Sequence, residues 1–346
     1  VQARHVPCDG EPEARPHVWE SDLWGKLRHR RDAAQAQYLA SVERTNLVLT
    51  ALVADVAAGY FELLALDHTR AILLQAVARQ EQAVEVVRLQ KEAGRANELA
   101  VQQFDAQLAE TRALEREAAR AAGEAENRLN VLLGRYPQAI QRESGALLAA
   151  PARLAAGLPA DLLHNRPDVR AAELQVRAAR FDVQAARAAF FPSLELNAGV
   201  GLAAFNPAYL VKVPASLTYG VGGGLVAPLV NRRALEAQFA GARAQQIEAL
   251  HAYQRAILVA YVEVVNGLAD VHHADGLLAL KQAQKDTLTQ AVGTADILYR
   301  AGKATYLEVL MAQQGALRAE LDLVAAWKRR RVGDVILYKA LGGGWR

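Results

Sequence analysis

The sequence predicts a mainly α protein: two copies of one long helical hairpin, with a pair of β-strands set into the second copy. Three observations carry that prediction. All eleven prolines fall in residues 1–16 or between Pro137 and Pro228, so 17–136 and 229–346 contain none. From residue 53 onward the first stretch matches the second without a gap at a constant offset of 208: Val56 meets Val264, Gly59 meets Gly267, and Asp67 meets Asp275. Residues 193–202 alternate apolar and polar side chains without a miss, which is the period of a strand and not of a helix.

Taken in order, residues 1–16 are polar and proline-rich and predict an irregular segment. "HVWESDLWGKL", His17 to Leu27, enters the first repeat as a strand, although its alternation is poor. A proline-free helix follows from about Leu27 to Leu89. Interior proline costs about 3 kcal/mol, and at 1.5 Å per residue this helix is roughly 90 Å long. Gly94 sits among good helix formers and suits a left-handed cap, so the chain folds back there. The first repeat therefore covers 17–136, and a loop-rich connector covers 137–166.

The second repeat, 167–346, opens on a helix with Pro167 and Asp168 in its first turn. That helix ends at Pro192, where a β-hairpin over 192–230 begins. Leu194, Leu196, Ala198, Val200 and Leu202 form the apolar side of its first strand. In the second strand Leu217, Tyr219, Val221, Gly223, Leu225, Ala227 and Leu229 share one side. The pattern fits a small sheet on a soluble core or a pair of outer-membrane barrel strands, which need about 9–11 residues and lipid-facing alternation. Helices follow again: "AGKATYLEV" at Ala301 repeats "AGRANELAV" at Ala93, so Gly302 is the second fold-back point. Beyond it, Leu307, Leu310, Leu317, Leu321 and Val324 keep heptad spacing, with Gln314 the polar exception. That is a coiled-coil seam.

Composition narrows the function classes. Of 346 residues 52% are hydrophobic and 22% charged, which favours long helices over disorder. Forty basic residues stand against 37 acidic ones, too small and dispersed an excess for a nucleic-acid binder. The one basic run, "WKRRR" at Trp327 to Arg331, reads as a solvated or lipid-headgroup-facing turn. The single cysteine, Cys8, makes neither an internal disulfide nor a multi-cysteine metal site. No run of about 18 uncharged apolar residues predicts a transmembrane helix. Adjacent His272 and His273 point about 100° apart on a helix, and no nucleophile–base pair, phosphate loop or metal spacing accompanies them. An enzyme is therefore not expected, nor any cofactor.

Several stretches resemble one family closely. "LPADLLHNRPDVRAAELQVRAARFDVQAARAAFFPSLEL", "WESDLWGKL", "YRAGKATYLEVLMAQ" and the terminal "YKALGGGW" are similar to the TolC/OprM outer-membrane efflux proteins, nearest to the lipoprotein (NodT-like) channels that pair with proton-driven pumps. The resemblance covers residue 17 to the end. It implies a homotrimer in the outer membrane of a Gram-negative bacterium, with a shared twelve-stranded barrel and a coiled-coil periplasmic tunnel. It implies a passive duct working with a periplasmic adaptor (a membrane fusion protein) and an inner-membrane RND-type pump, with outer-membrane lipid and no nucleic acid as partners. The apolar strand side would face lipid.

By the same resemblance, Gly94, Arg95, Ala96 and Gly302, Lys303, Ala304 are the tips that meet the adaptor, and Tyr299, Leu307 and Glu308 line the periplasmic aperture. Ala100 stands where some members carry an acid and Met311 where many carry an aspartate, which leaves Glu308 as the carboxylate of that region; an ordinary solvated helix residue is the competing reading. Members also begin with a signal peptide, a lipidated cysteine, an N-terminal helix and a first strand, none recognisable in residues 1–16. Three strands are thus expected where members have four. Alternatives are a type I secretion duct, a truncated homologue that does not assemble, and a soluble coiled-coil scaffold.

Overall fold

A computed structural model of the chain describes residues 17–143, 145, 147–148, 165–202, 213–214, 216–227 and 231–344. The expectations for residues 1–16, including Cys8, for 149–164 and 203–212, and for 228–230, including Leu229, fall outside the described residues. In chain order the elements are strand β1 (His17–Ser21), helices α1 (Lys26–Glu92), α2 (Glu98–Leu132) and α3 (Pro167–Ala188), strands β2 (Ser193–Leu202) and β3 (Leu217–Val226), and helices α4 (Arg232–Arg300) and α5 (Tyr306–Ala340). The duplication is visible in the boundaries: α2 and α5 start and end 208 residues apart, and α1 and α4 end 208 apart.

The helices stop and start for local reasons. At Gly94 (φ 70°) the amide donates to Lys91 O at 2.9 Å, and that of Arg95 donates to Gln90 O at 2.8 Å. At Gly302 (φ 71°) the same pair runs to Tyr299 O and Leu298 O at 3.0 and 2.9 Å. Both are Schellman caps, which need the left-handed conformation that glycine adopts freely. Gly134 and Gly342 close α2 and α5 in the same way.

The chain forms two compact units, one of Val1–Glu43 with Arg170–Ala256 and one of Arg44–Val169 with Ile257–Arg346. They cut across the repeats, because α1 and α4 each contribute to both. The first unit carries the three-stranded sheet. Its helical part is packed through small residues, with Ala33, Ala36, Ala40, Ala178, Ala185 and Ala188 all buried. Trp24 stacks on Phe191 with ring centroids 4.8 Å apart, and its indole N–H donates to Pro192 O at 2.9 Å. The predicted entry strand is shorter than its sequence window: pairing with β2 holds only His17–Ser21, and Asp22 then accepts the Leu27 and Arg28 amides and starts α1.

In the second unit each helical hairpin is pinched at equivalent glycines. A Cβ on Gly59 would lie 2.9 Å from Leu129 Cδ2, and one on Gly267 would lie 3.3 Å from Leu337 Cδ1. Leu63, Ala122, Ala125 and Leu129 fill the first hairpin beside that pinch. Equivalent acids face one another across each hairpin, and an arginine bridges each pair. In the first, Arg142 reaches from the connector to Asp67 (2.9 Å) and Glu126 (2.7 Å). In the second, Arg330, on α5 itself, holds Asp275 and Asp334. Ile140 N–H also donates to Glu126 at 2.7 Å. That bond, followed by those from Arg142, keeps the Glu126 carboxyl below the usual glutamate range against the opposing effect of burial.

One expectation is overturned here. The "WKRRR" run is not a solvated or headgroup-facing turn: Arg330 and Arg331 are buried, and Lys328 pairs with Glu62 at 3.2 Å. Arg331 lies over the Phe61 ring and donates to Leu147 O at 3.1 Å, and burial pushes its pKa down. Helix α1 also contains an 18-residue window with the length and composition of a membrane span, at mean hydropathy 1.8. Asp55 and Glu62 interrupt the apolar part of α1, so it is not an uncharged run.

Candidate functional site: an amphipathic sheet and two hairpin tips

The sheet has order β1-β2-β3, with both pairs antiparallel. Its register decides which side chains share a face, because directly opposed residues point the same way. Trp19 opposes Leu196, which opposes Gly223; Leu194 opposes Leu225; Ala198 opposes Val221; Val200 opposes Tyr219; Leu202 opposes Leu217. The five residues picked from the alternation of β2 therefore lie on one face, joined by the apolar residues of β3 and by Trp19. Val200 is 67% exposed, Tyr219 82% and Val221 87%, an apolar surface that nothing among the described residues covers.

The opposite face is polar and nearly bare. Asn197 opposes Gly222, Gly199 opposes Gly220, Gly201 opposes Thr218, and Glu195 opposes both Glu20 and Gly224. A Cβ on Gly220, Gly222 or Gly224 would meet nothing within 4 Å, so this face opens onto free space. Glu20 and Glu195 are like charges directly opposed, an unfavourable cross-strand pair, and Lys26 Nζ relieves it at 2.8 Å from Glu20.

At the other candidate site, both tips are two-helix turns. Gly94, Arg95, Gly302 and Lys303 are exposed, while Ala96 and Ala304 are half-buried at equivalent positions. After the first turn, the Asn97 side chain accepts from Ala100 N at 2.9 Å and starts α2. After the second, Thr305 and Glu308 form a complete capping box: the Glu308 carboxylate accepts from Thr305 N at 2.6 Å and from its hydroxyl at 2.9 Å. The Thr305 amide first, then the hydroxyl, hold the Glu308 pKa below the usual range.

The three residues expected at the aperture are thus placed unevenly. Leu307 is exposed, off the apolar seam its spacing suggested, while Leu310, Leu317 and Val324 of that seam are buried. Glu308 is engaged in starting its own helix. Tyr299 is half-buried, and its hydroxyl donates to Gln90 Oε1 at 2.6 Å, tying the two hairpins together just above the tips. Gln314, the polar exception in the seam, hydrogen-bonds Gln107 of the first hairpin. Gln90 and Gln107 carry no local signal that would have singled them out. Val84, Val87, Val101, Phe104 and Leu108 of the first hairpin pack with Leu310 and Tyr306 of α5. Among the described residues no group of three or more His, Cys, Asp or Glu is placed to hold a metal.

A family model described as "Outer membrane efflux protein" matches residues 18–135 and 158–343. The pyoverdine export outer membrane protein OpmQ of Pseudomonas aeruginosa is 34% identical over 331 residues, covering 95% of this chain and 69% of that protein. The cation efflux system protein CusC of an Escherichia coli strain is 30% identical over 334 residues, covering 95% and 71%. Solved structures agree in fold: crystal structures of CusC superpose with a TM-score of 0.87 at 30% identity, covering 94% of this chain and 76% of that one. The open-state MtrE outer membrane channel of Neisseria gonorrhoeae gives 0.87 at 27% identity, covering 95% and 74%. The chain belongs to the outer membrane efflux protein family and is an efflux channel protein.

Proposed function

We propose that the chain is one subunit of a homotrimeric exit duct in the outer membrane of a Gram-negative bacterium. The observation that carries this reading is the sheet, with one face apolar and uncovered and the other polar and glycine-bare. A sheet of this kind suits lipid on one side and an aqueous pore on the other. Three strands leave open edges, and open edges are not tolerated in a bilayer. Strands from further copies would close those edges into a shared barrel. The face bearing Leu194, Leu196, Ala198, Val200 and Leu202 is the lipid side.

In this reading substrates arrive from an inner-membrane RND-type pump through a periplasmic adaptor and leave passively, with no reaction catalysed. The tips at Gly94–Ala96 and Gly302–Ala304 present backbone turns with one exposed cation each, Arg95 and Lys303, to the adaptor. Tyr299 and Leu307 belong to the aperture, with Tyr299 holding its helix to Gln90. Glu308 belongs there as the residue that fixes the start of α5, its carboxylate turned to Thr305.

Assembly tests the reading. The chain is fused to a secretion signal, outer membranes are isolated, and the sample is run unheated and heated on a denaturing gel. A band near three chain masses that collapses on boiling is expected. A monomer recovered only from periplasm or aggregates overturns the trimeric duct.

A further inference from the structure

The internal repeat carries an in-chain contact that has a repeat-related counterpart with nothing on it. The Gly344 backbone, just past α5, lies on α1: a Cβ there would sit 3.7 Å from Thr50 Cα and from Val53 Cβ. Thr50 is buried at 3% exposed. Moving each partner by 208 gives Tyr136, just past α2, and Leu258 and Tyr261 on α4. All three are exposed: Tyr136 is 92% exposed, Leu258 66% and Tyr261 53%.

We propose that Tyr136 of one copy packs onto Leu258 and Tyr261 of a second copy of this chain. The inference deepens the trimeric reading above and rests on it. The in-chain joint places the end of the second hairpin against the long helix of the first. The same joint between chains places the end of the first hairpin against the long helix of the neighbour's second. The two surfaces differ, so the contact is head-to-tail, and such contacts close into rings when the rotation permits. Three chains then give six alternating joints of one kind. The residue change fits: a glycine on Thr and Val becomes a tyrosine on Leu and Tyr, so larger apolar side chains cover the joint that no peptide link holds. Leaving three large side chains in water is otherwise unfavourable.

Disulfide trapping in the assembled protein tests this. In a Cys8→Ser background, Tyr136→Cys with Leu258→Cys is oxidised in outer membranes and run on a non-reducing denaturing gel. A ladder of covalent dimer and trimer that reductant removes is expected, with each single variant remaining monomeric. Gly344→Cys with Thr50→Cys serves as the in-chain control and gives no ladder. Tyr136→Cys with Tyr261→Cys is the second pair, should the first impair folding. A heat-labile trimer on the unheated gel without a ladder from either pair overturns the proposed face while the trimer stands. A monomer before and after heating, with no ladder, overturns both.

Discussion

The two helical hairpins share their backbone and differ in their side chains. At an offset of 208 both fold back at a left-handed glycine, both end on another, and both are pinched where a glycine meets a leucine, Gly59 on Leu129 and Gly267 on Leu337. The same offset relates the acids Asp67 and Glu126 to Asp275 and Asp334. The work around them is divided differently. Arg142 comes from the connector and straps it to the first hairpin, whereas Arg330 comes from within the second. Ala122 stands where Arg330 would be in the first copy. Near the tips Phe104 and Leu108 are buried, while their equivalents are Ala312 and Ala316. A left-handed backbone position accepts few residue types, so both copies solve it alike. A charge can be neutralised from any direction, and the two copies use different arginines.

The comparison breaks most sharply at the helix ends. Gly134 and Gly342 have similar positive φ, 66° and 83°. A Cβ on Gly134 meets nothing within 4 Å, but one on Gly342 lands 2.6 Å from the Asn165 carbonyl oxygen. Gly134→Ala is expected to cost about 1 kcal/mol, from left-handed strain alone. Gly342→Ala adds a backbone overlap and is expected to cost about 3 kcal/mol or more. Parallel denaturant titrations measure both, and equal losses would mean that the surroundings do not distinguish the two ends.

The arginines come next. Removing Arg330, whose side chain is 7% exposed, leaves two facing acids without their cation; Arg330→Ala is expected to cost about 3 kcal/mol. Arg142 is 34% exposed, and water screens its acids, so Arg142→Ala is expected to cost about 1 kcal/mol. Its distinguishing effect is local: proteolysis of the connector around 137–148 should rise with Arg142→Ala and stay unchanged with Arg330→Ala. The opposite pattern would show that the connector is held by its apolar contacts, with Leu147 buried against Leu64, Ala65 and Val324.

Much of this was legible in the sequence, and what was not has physical causes. Glycine caps, proline placement and strict alternation are local properties, so the fold-back points, the start of α3 and the first arm of the β-hairpin lie where the residues put them, while the second arm ends at Val226, short of Ala227. Partners distant in the chain are another matter. "WKRRR" reads as solvated because Asp275 and the aromatic Phe61 lie on other helices. Tyr299 and Gln90 are 209 residues apart. Leu307 keeps heptad spacing yet is exposed, while Tyr306 beside it is the residue of that turn that packs on the first hairpin. Family resemblance marked Glu308 for the aperture, while the Thr305-x-x-Glu308 spacing was itself the local sign of a capping box.

The smallest effect separates the tips by pH. The first tip is capped by Asn97, which does not titrate. The second relies on ionised Glu308, whose pKa is lowered by its bonds to Thr305. A carboxyl with a depressed folded-state pKa contributes stability at pH values above its unfolded value, near 4.3, and loses it as the pH falls through the folded value. Acidification from about pH 6 to about pH 3.5 should therefore loosen the start of α5 and leave that of α2 nearly unchanged. The charges nearby do not reverse this: Lys91–Glu98 at the first tip and Arg300–Asp296 at the second are exposed pairs of little strength. Amide hydrogen-exchange protection at Glu308 and Val309, compared with Ala100 and Val101, reads the difference. In Glu308→Gln the pH dependence at the second tip should vanish. Were it to persist, the acid sensitivity would belong to the Arg300–Asp296 pair, and the capping box would not be what distinguishes the two tips.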